Sequence, residues 1–188
     1  MSRQLRVIAG DAGSLPLKVP PGADVRPTTD AMRETLFASL ESAIQRARFA
    51  DLYAGSGAVG IEALSRGAEL AVFVDSDSRC TEVIRANLAN TNLAEGGIVV
   101  RGRLPTVWTR IAQGHGPFDI VFADPPYESP DLPELAERLV VDQEGLAQRG
   151  IVVIQHDRGE SLLRDIKPDK VKKFGQSCLD FYYLGSSE

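Results

Sequence analysis

The chain has 188 residues, 43% apolar and 25% charged, which fits one globular domain with one core and excludes a globally disordered chain. No apolar run approaches the roughly 20 residues that span a bilayer, and Met1-Ser2-Arg3-Gln4-Leu5-Arg6-Val7-Ile8 lacks the long apolar stretch of a secretory signal. Its two cysteines, Cys80 and Cys178, have no metal-ligand spacing, so the expectation is a cytoplasmic protein with reduced thiols and no metal. Net charge is −5 but uneven: residues 1–48 carry net +2 and the remainder net −7. The basic N-terminal part is either a local phosphate-binding face or an ordinary solvated surface.

In chain order, Leu5–Ala9 and Leu15–Val19 flank the turn cluster Gly10–Ser14 and predict an N-terminal hairpin or arm, ended by Pro20-Pro21-Gly22. Met32, Leu36, Leu40, Ala43, Ile44 and Ala47 recur at helical spacing, and Thr29 or Asp30 can cap that helix. From Phe49 the rhythm is β-α-β. Strands are predicted at 49–53, 70–74, 98–101, 118–123 and 151–155, with helical patterns at 59–66, 79–90, 106–113 and 132–141 between them. This alternation predicts a parallel sheet with helices on both faces. The tail, with runs at 171–174 and 179–184, reads as a closing antiparallel hairpin. Ligands of such sheets bind beyond the carboxyl ends of the strands, which directs attention to Asp51–Gly57, Asp75, Arg101–Arg103, Asp124–Tyr127 and His156.

Gly55-Ser56-Gly57-Ala58-Val59-Gly60 follows a strand and opens a helix, and Asp75 stands 20 residues beyond Gly55. This satisfies a dinucleotide fingerprint, with the acid on ribose hydroxyls, and equally suits an adenosyl cofactor. Asp51, in Asp51-Leu52-Tyr53-Ala54-Gly55-Ser56-Gly57, separates the two. A carboxylate beside the turn repels a pyrophosphate and favours the ammonium group of a methionine moiety. S-adenosyl-L-methionine is therefore the expected cofactor, although the glycines also permit mere tight packing.

Asp124-Pro125-Pro126-Tyr127 follows the apolar run Phe118–Ala123. Two prolines make the turn rigid and remove two backbone donors, so it presents carbonyls. An amino group on a flat base has its lone pair delocalised into the ring. Two acceptors, the Asp124 carboxylate and the Pro125 carbonyl, can bind both amino hydrogens and turn that pair out of plane. Asp124 also stabilises the charge that develops on nitrogen, and Tyr127 offers a stacking face. Alternatively the tetrapeptide is only a turn with a solvated acid and a packed tyrosine.

The sequence resembles the RsmD-type methyltransferases of small-subunit (16S) ribosomal RNA. The resemblance runs through Arg6–Gly10, Val25–Asp30, Arg33–Phe37, Asp51–Gly57, Gly60–Ala68, Phe73–Asp75 and Asp124–Tyr127. Among these, Arg26-Pro27-Thr28-Thr29-Asp30 and Glu62-Ala63-Leu64-Ser65-Arg66-Gly67-Ala68 are the more specific segments. It implies a Rossmann-like, seven-stranded class I methyltransferase sheet over residues 25–188. It further implies a hairpin over residues 1–24 that touches RNA, and transfer of methyl to the N2 of a guanine, at position 966. The implied catalytic residues are Asp124, Pro125, Pro126 and Tyr127. The implied cofactor contacts are Arg26, Thr28, Thr29, Asp51, Tyr53, Ala54, Gly55, Ser56, Gly57, Asp75, Ser76, Arg103 and Asp124. The expected partner is small-subunit ribosomal RNA, in an assembled or assembling particle, contacted by a monomer through Arg3, Arg6, Lys18, Arg101 and Arg110.

Two departures stand out. The hairpin turn, Asp11-Ala12-Gly13-Ser14-Leu15-Pro16, lacks the basic residues usual in the family. The third strand runs into Arg101-Gly102-Arg103-Leu104 where many such enzymes place an acid for adenine. Rival readings are an amino methyltransferase acting on adenine N6 or protein glutamine, a nicotinamide-dependent oxidoreductase, and an inactive binding module. His156 reads as a structural histidine at a strand end, His115 is assigned no role, and Trp108 reads as core.

Overall fold

The runs rich in β-branched and aromatic residues become the strands of one sheet, as their continuous apolar character requires of strands buried on both faces. The computed structural model describes residues 4–21, 29–126, 129–157, 163 and 165–185. Its strands are β1 (Arg48–Leu52), β2 (Leu70–Asp75), β3 (Gly97–Arg101), β4 (Phe118–Ala123), β5 (Leu146–Asp157), β6 (Lys170–Phe174) and β7 (Ser177–Tyr183). They lie in the order β3-β2-β1-β4-β5-β7-β6. β1 to β5 pair in parallel, while β7 pairs antiparallel with β5 and β6. This is the expected seven-stranded sheet with its closing hairpin.

The helices are α1 (Asp30–Leu40), α2 (Ala58–Ser65), α3 (Ser78–Asn90), α4 (Trp108–His115) and α5 (Leu132–Ala136), the last continued by a wider turn at Glu137–Val141. α1, α2 and α3 pack on one face, around Leu36, Phe37, Phe49, Ile61, Phe73 and Ile84. α4 and α5 cover the other, around Trp108, Ile111, Val121, Leu135 and Leu139. Thr29 caps α1, its Oγ1 accepting from Met32 N at 3.3 Å. α1 is shorter than the apolar spacing to Ala47 predicts. After Leu40 the chain makes turns, with Arg46 at φ 60°, yet Ile44 and Ala47 stay buried. Their period therefore records burial, which turns deliver here as well as a helix.

The N-terminal hairpin forms, with Val7 N donating to Leu15 O, Ser14 N to Val7 O and Leu17 N to Leu5 O, although among its described residues only Arg6 and Pro16 form a regular bridge. It is seated in the core rather than hung from it: Leu5, Val7, Ala12 and Leu17 are buried in the cluster that holds α1 and α2. Its seat is α2. Glu62, fully buried in a helix whose only other polar side chain is Ser65, accepts from Ile8 N (2.7 Å), Ala9 N (3.0 Å) and Arg66 Nε (2.7 Å). Ser65 Oγ donates to Ala9 O and accepts from Ala12 N. Gly10, at φ 82°, leaves no room for a side chain: a Cβ would lie 1.8 Å from Ser65 O. Arg33 of α1, also fully buried, completes the joint by donating to Arg6 O and to Asp30, with Glu62 3.8 Å away.

Removing Glu62 would leave the Ile8 and Ala9 amides and Arg66 Nε without their acceptor, and the buried Arg33 guanidinium without the carboxylate it faces. Glu62→Ala is expected to lower the unfolding free energy by about 3–5 kcal/mol. Urea unfolding measures it, and a loss below about 1 kcal/mol would show that the joint does not bear on stability.

Candidate active site

The strand order reverses between β1 and β4, so the crevice for a ligand opens beyond their carboxyl ends. Three carboxylates meet there. Asp51 lies on β1, Asp75 ends β2, and Asp124 follows β4, tied back to β1 by Asp124 N donating to Leu52 O at 3.3 Å. Asp51 is 2% exposed, and its Oδ2 accepts from Gly60 N at 2.8 Å. That amide belongs to the first turn of α2, where a dinucleotide-binding loop would turn its donors towards a pyrophosphate. A carboxylate of the chain already holds it, which disfavours the nicotinamide reading. The third glycine serves packing: a Cβ on Gly60 would lie 2.3 Å from the Phe73 ring.

Asp75 is pre-set as an acceptor. Its Oδ2 accepts from Gly55 N and its Oδ1 from Asp77 N, both at 2.9 Å, and the Cys80 thiol is a further hydrogen-bond neighbour of the carboxylate. A Cβ built on Gly55 would meet nothing within 4 Å, so open space lies over the turn on that side. The loop is braced from behind by Gly57 N donating to Ala54 O and by Asn87, whose Nδ2 donates to Ser56 O. Asn87 is fully buried on α3 and also exchanges both backbone bonds of Lys18, at 2.8 and 3.0 Å. Glycine turn and hairpin thus share one side chain, which sequence reading missed; a polar residue at a core position of α3 was its only signal.

Tyr53 sits at φ 60°, and its buried hydroxyl lacks a well-formed hydrogen bond, with Ser129 the polar neighbour. Burial raises its pKa, so it is a neutral phenol at physiological pH. Pro125 and Pro126 continue from Asp124, and Ser129 N donates to Pro126 O, closing the turn. Pro126 is exposed and Asp124 and Pro125 half-buried, so the turn faces the crevice rim.

The remaining sequence-predicted residues scatter. Ser76 is exposed at the end of β2, and its carbonyl accepts from Arg101 Nε at 3.3 Å. Arg103 pairs with Asp131 at 3.1 Å while 75% of its side chain stays exposed. Arg6, Lys18 and Arg110 are exposed. Arg3, Arg26, Thr28 and Tyr127 lie outside the described residues. Trp108 is core, as expected: fully buried, stacked on Phe118, its Nε1 donating to Glu144 O.

The donor set suits a cationic adenosyl ligand. The acids at the strand ends favour a sulfonium and an ammonium, and the Asp75 carboxylate suits a ribose hydroxyl. The cluster has a cost. Desolvation, helped by Asp124 and Asp75 and opposed by the Gly60 amide, holds the Asp51 pKa well above the ordinary 3.8. A carboxyl with a raised folded pKa contributes stability that is present below 3.8 and lost as pH rises through the folded value. Without cofactor, Asp51→Asn is therefore expected to be at least as stable as wild type at neutral pH and to lose less stability from pH 4 upward. Urea unfolding across that range checks this; a less stable Asn variant at neutral pH would contradict it.

The family model described as "Conserved hypothetical protein 95" matches residues 5–183. The chain is 35% identical over 156 residues to ribosomal RNA small subunit methyltransferase D of Escherichia coli strain K12, covering 83% of this chain and 76% of that one. The solved structure of yhhF from Escherichia coli superposes with a TM-score of 0.82 at 33% identity, covering 98% of this chain and all of that one. An RNA methyltransferase from Salinibacter ruber, solved with S-adenosyl-L-homocysteine, shares the fold at TM-score 0.65 and 17% identity, over 86% and 95% of the two chains.

Proposed function

The chain belongs to the RsmD-type family of small-subunit ribosomal RNA methyltransferases, and from that premise we propose that it transfers methyl to the exocyclic N2 of a guanine in small-subunit ribosomal RNA. Its cofactor is S-adenosyl-L-methionine. The observation that carries the reading is the rigid Asp124-Pro125-Pro126 turn, bonded to β1 at the topological switch beside the Asp51, Asp75 and glycine-loop cluster.

Asp75 would accept from the ribose hydroxyls, and Asp51 would face the ammonium end of the methionine moiety. Bound adenosylmethionine supplies a methyl group activated by its sulfonium. The Asp124 carboxylate and the Pro125 carbonyl would accept one hydrogen each from the target amino group and present its lone pair in line with that methyl carbon. The methyl carbon would pass from the sulfonium sulfur, which would keep the bonding electron pair, to the amino nitrogen held by Asp124 and Pro125. One proton then leaves the cationic nitrogen, beside Asp124. The base must be unpaired or flipped to reach this turn. Arg6, Lys18, Arg101 and Arg110 are the exposed cations that we assign to RNA phosphates, and Tyr127 is the stacking face. We place the RNA-touching role in residues 1–24 and the methyl transfer in residues 25–188.

Small subunits from a strain lacking this gene, incubated with the enzyme and labelled adenosylmethionine, are expected to yield N2-methylguanosine on nucleoside analysis. Label in N6-methyladenosine, or in protein alone, would overturn the assignment. Asp124→Ala is expected to lower kcat by on the order of 10²-fold or more, with adenosylhomocysteine still bound by calorimetry; near-normal turnover would remove Asp124 from the chemistry. Asp75→Ala is expected to weaken adenosylhomocysteine binding, and an unchanged Kd would take Asp75 out of the cofactor site.

A further inference from the structure

A second group of reactive side chains gathers on the closing hairpin. β5 and β7 pair so that His156 lies opposite Cys178 and Ile154 lies opposite Asp180. Residues two apart on a strand share a face, so all three side chains project on the side of Ile154 and Tyr182. His156 Nε2 lies 2.9 Å from Asp180 Oδ2 and 3.2 Å from Cys178 Sγ, and the three donor atoms all fall within 4.8 Å of one another. All three side chains are more than nine-tenths buried.

The arrangement is not a nucleophile relay. A relay places the acid and the nucleophile on opposite nitrogens of the ring. Here both meet Nε2, while Nδ1 is buried with no partner. A single N–H cannot point at both a carboxylate and a sulfur. Three electron-rich atoms converging on one point are what a cation needs. With a neutral imidazole, a thiolate and a carboxylate, a divalent ion makes the site neutral overall, which offsets the cost of burying two anions.

We propose that His156 Nε2, Cys178 Sγ and the Asp180 carboxylate bind a borderline transition-metal ion of the zinc class. The mixed N, S, O set selects against the hard ions magnesium and calcium, and three protein ligands leave a fourth position for water. The two strands are hydrogen-bonded to each other, so the ligands are held rigidly. Ile154, two residues before His156, pairs with Ala123, the residue before Asp124. The ion would clip the strand ends next to the methyl-transfer turn. Cysteine spacing along the chain cannot reveal such a site, because strand register supplies the proximity. It stands apart from the cofactor assignment and is tested without reference to methyl transfer.

The probe is cobalt(II) added to the untagged, chelator-treated full chain. A thiolate-to-cobalt charge-transfer band is expected to saturate at about one equivalent and to be displaced by zinc. The band is expected to be kept in Cys80→Ser and lost in Cys178→Ser. Zinc is expected to raise the thermal midpoint of wild type and Cys80→Ser, but not of Cys178→Ser or Asp180→Asn. No band in wild type, a band surviving in Cys178→Ser, or saturation only at several equivalents without a rise in midpoint would each overturn the site. His156→Ala is expected to lose the band as well; should it fail to fold, the comparison of wild type with the two serine variants still decides.

Discussion

The buried carboxylate of Glu62 is the interaction on which the architecture turns. It takes up two backbone amides of the N-terminal hairpin and Arg66 of its own helix end, and it faces the buried guanidinium of Arg33. Such a group is tolerated in an apolar helix only when its acceptors are used. α2 also carries, at its other end, the Gly60 amide that holds Asp51. One eight-residue helix therefore fixes the hairpin at its carboxyl end and the buried Asp51 at its amino end.

At the crevice the priorities reverse. Asp51, Asp75 and Asp124 are brought together where mutual repulsion and desolvation oppose their ionisation. No packing requirement calls for three acids at a topological switch point. The grouping makes sense as pre-organisation for a cationic ligand, whose binding would recover what the empty fold gives up.

Much of this was legible in the sequence. The β-α rhythm, the closing hairpin and the sheet's helices on both faces follow from apolar runs of the right length, and the strand ends led directly to Asp51, Asp75 and Asp124. Other features were not legible, for physical reasons. The end of α1 at Leu40 was hidden because turns buried Ile44 and Ala47 on the same schedule as a helix would. The run Glu62–Ala68 could be recognised as a family signature, but not as the seat of the hairpin, because its partners lie more than 50 residues away along the chain. Asn87 and the His156–Cys178 pair depend likewise on tertiary placement, which no local period encodes.

The hairpin's two halves obey different rules. Its inner side is fixed by Val7, Gly10 and Ala12 against α2, where even one methyl group added at Gly10 meets backbone. Its tip, Gly13 to Pro16, is exposed. Substitutions at the tip can alter charge without touching the joint that folds the chain. The charge of this surface can therefore drift between relatives, or be retuned by design, while the joint that seats the hairpin stays constant. The scarcity of basic residues in this chain's turn is one setting of a dial that the fold leaves free.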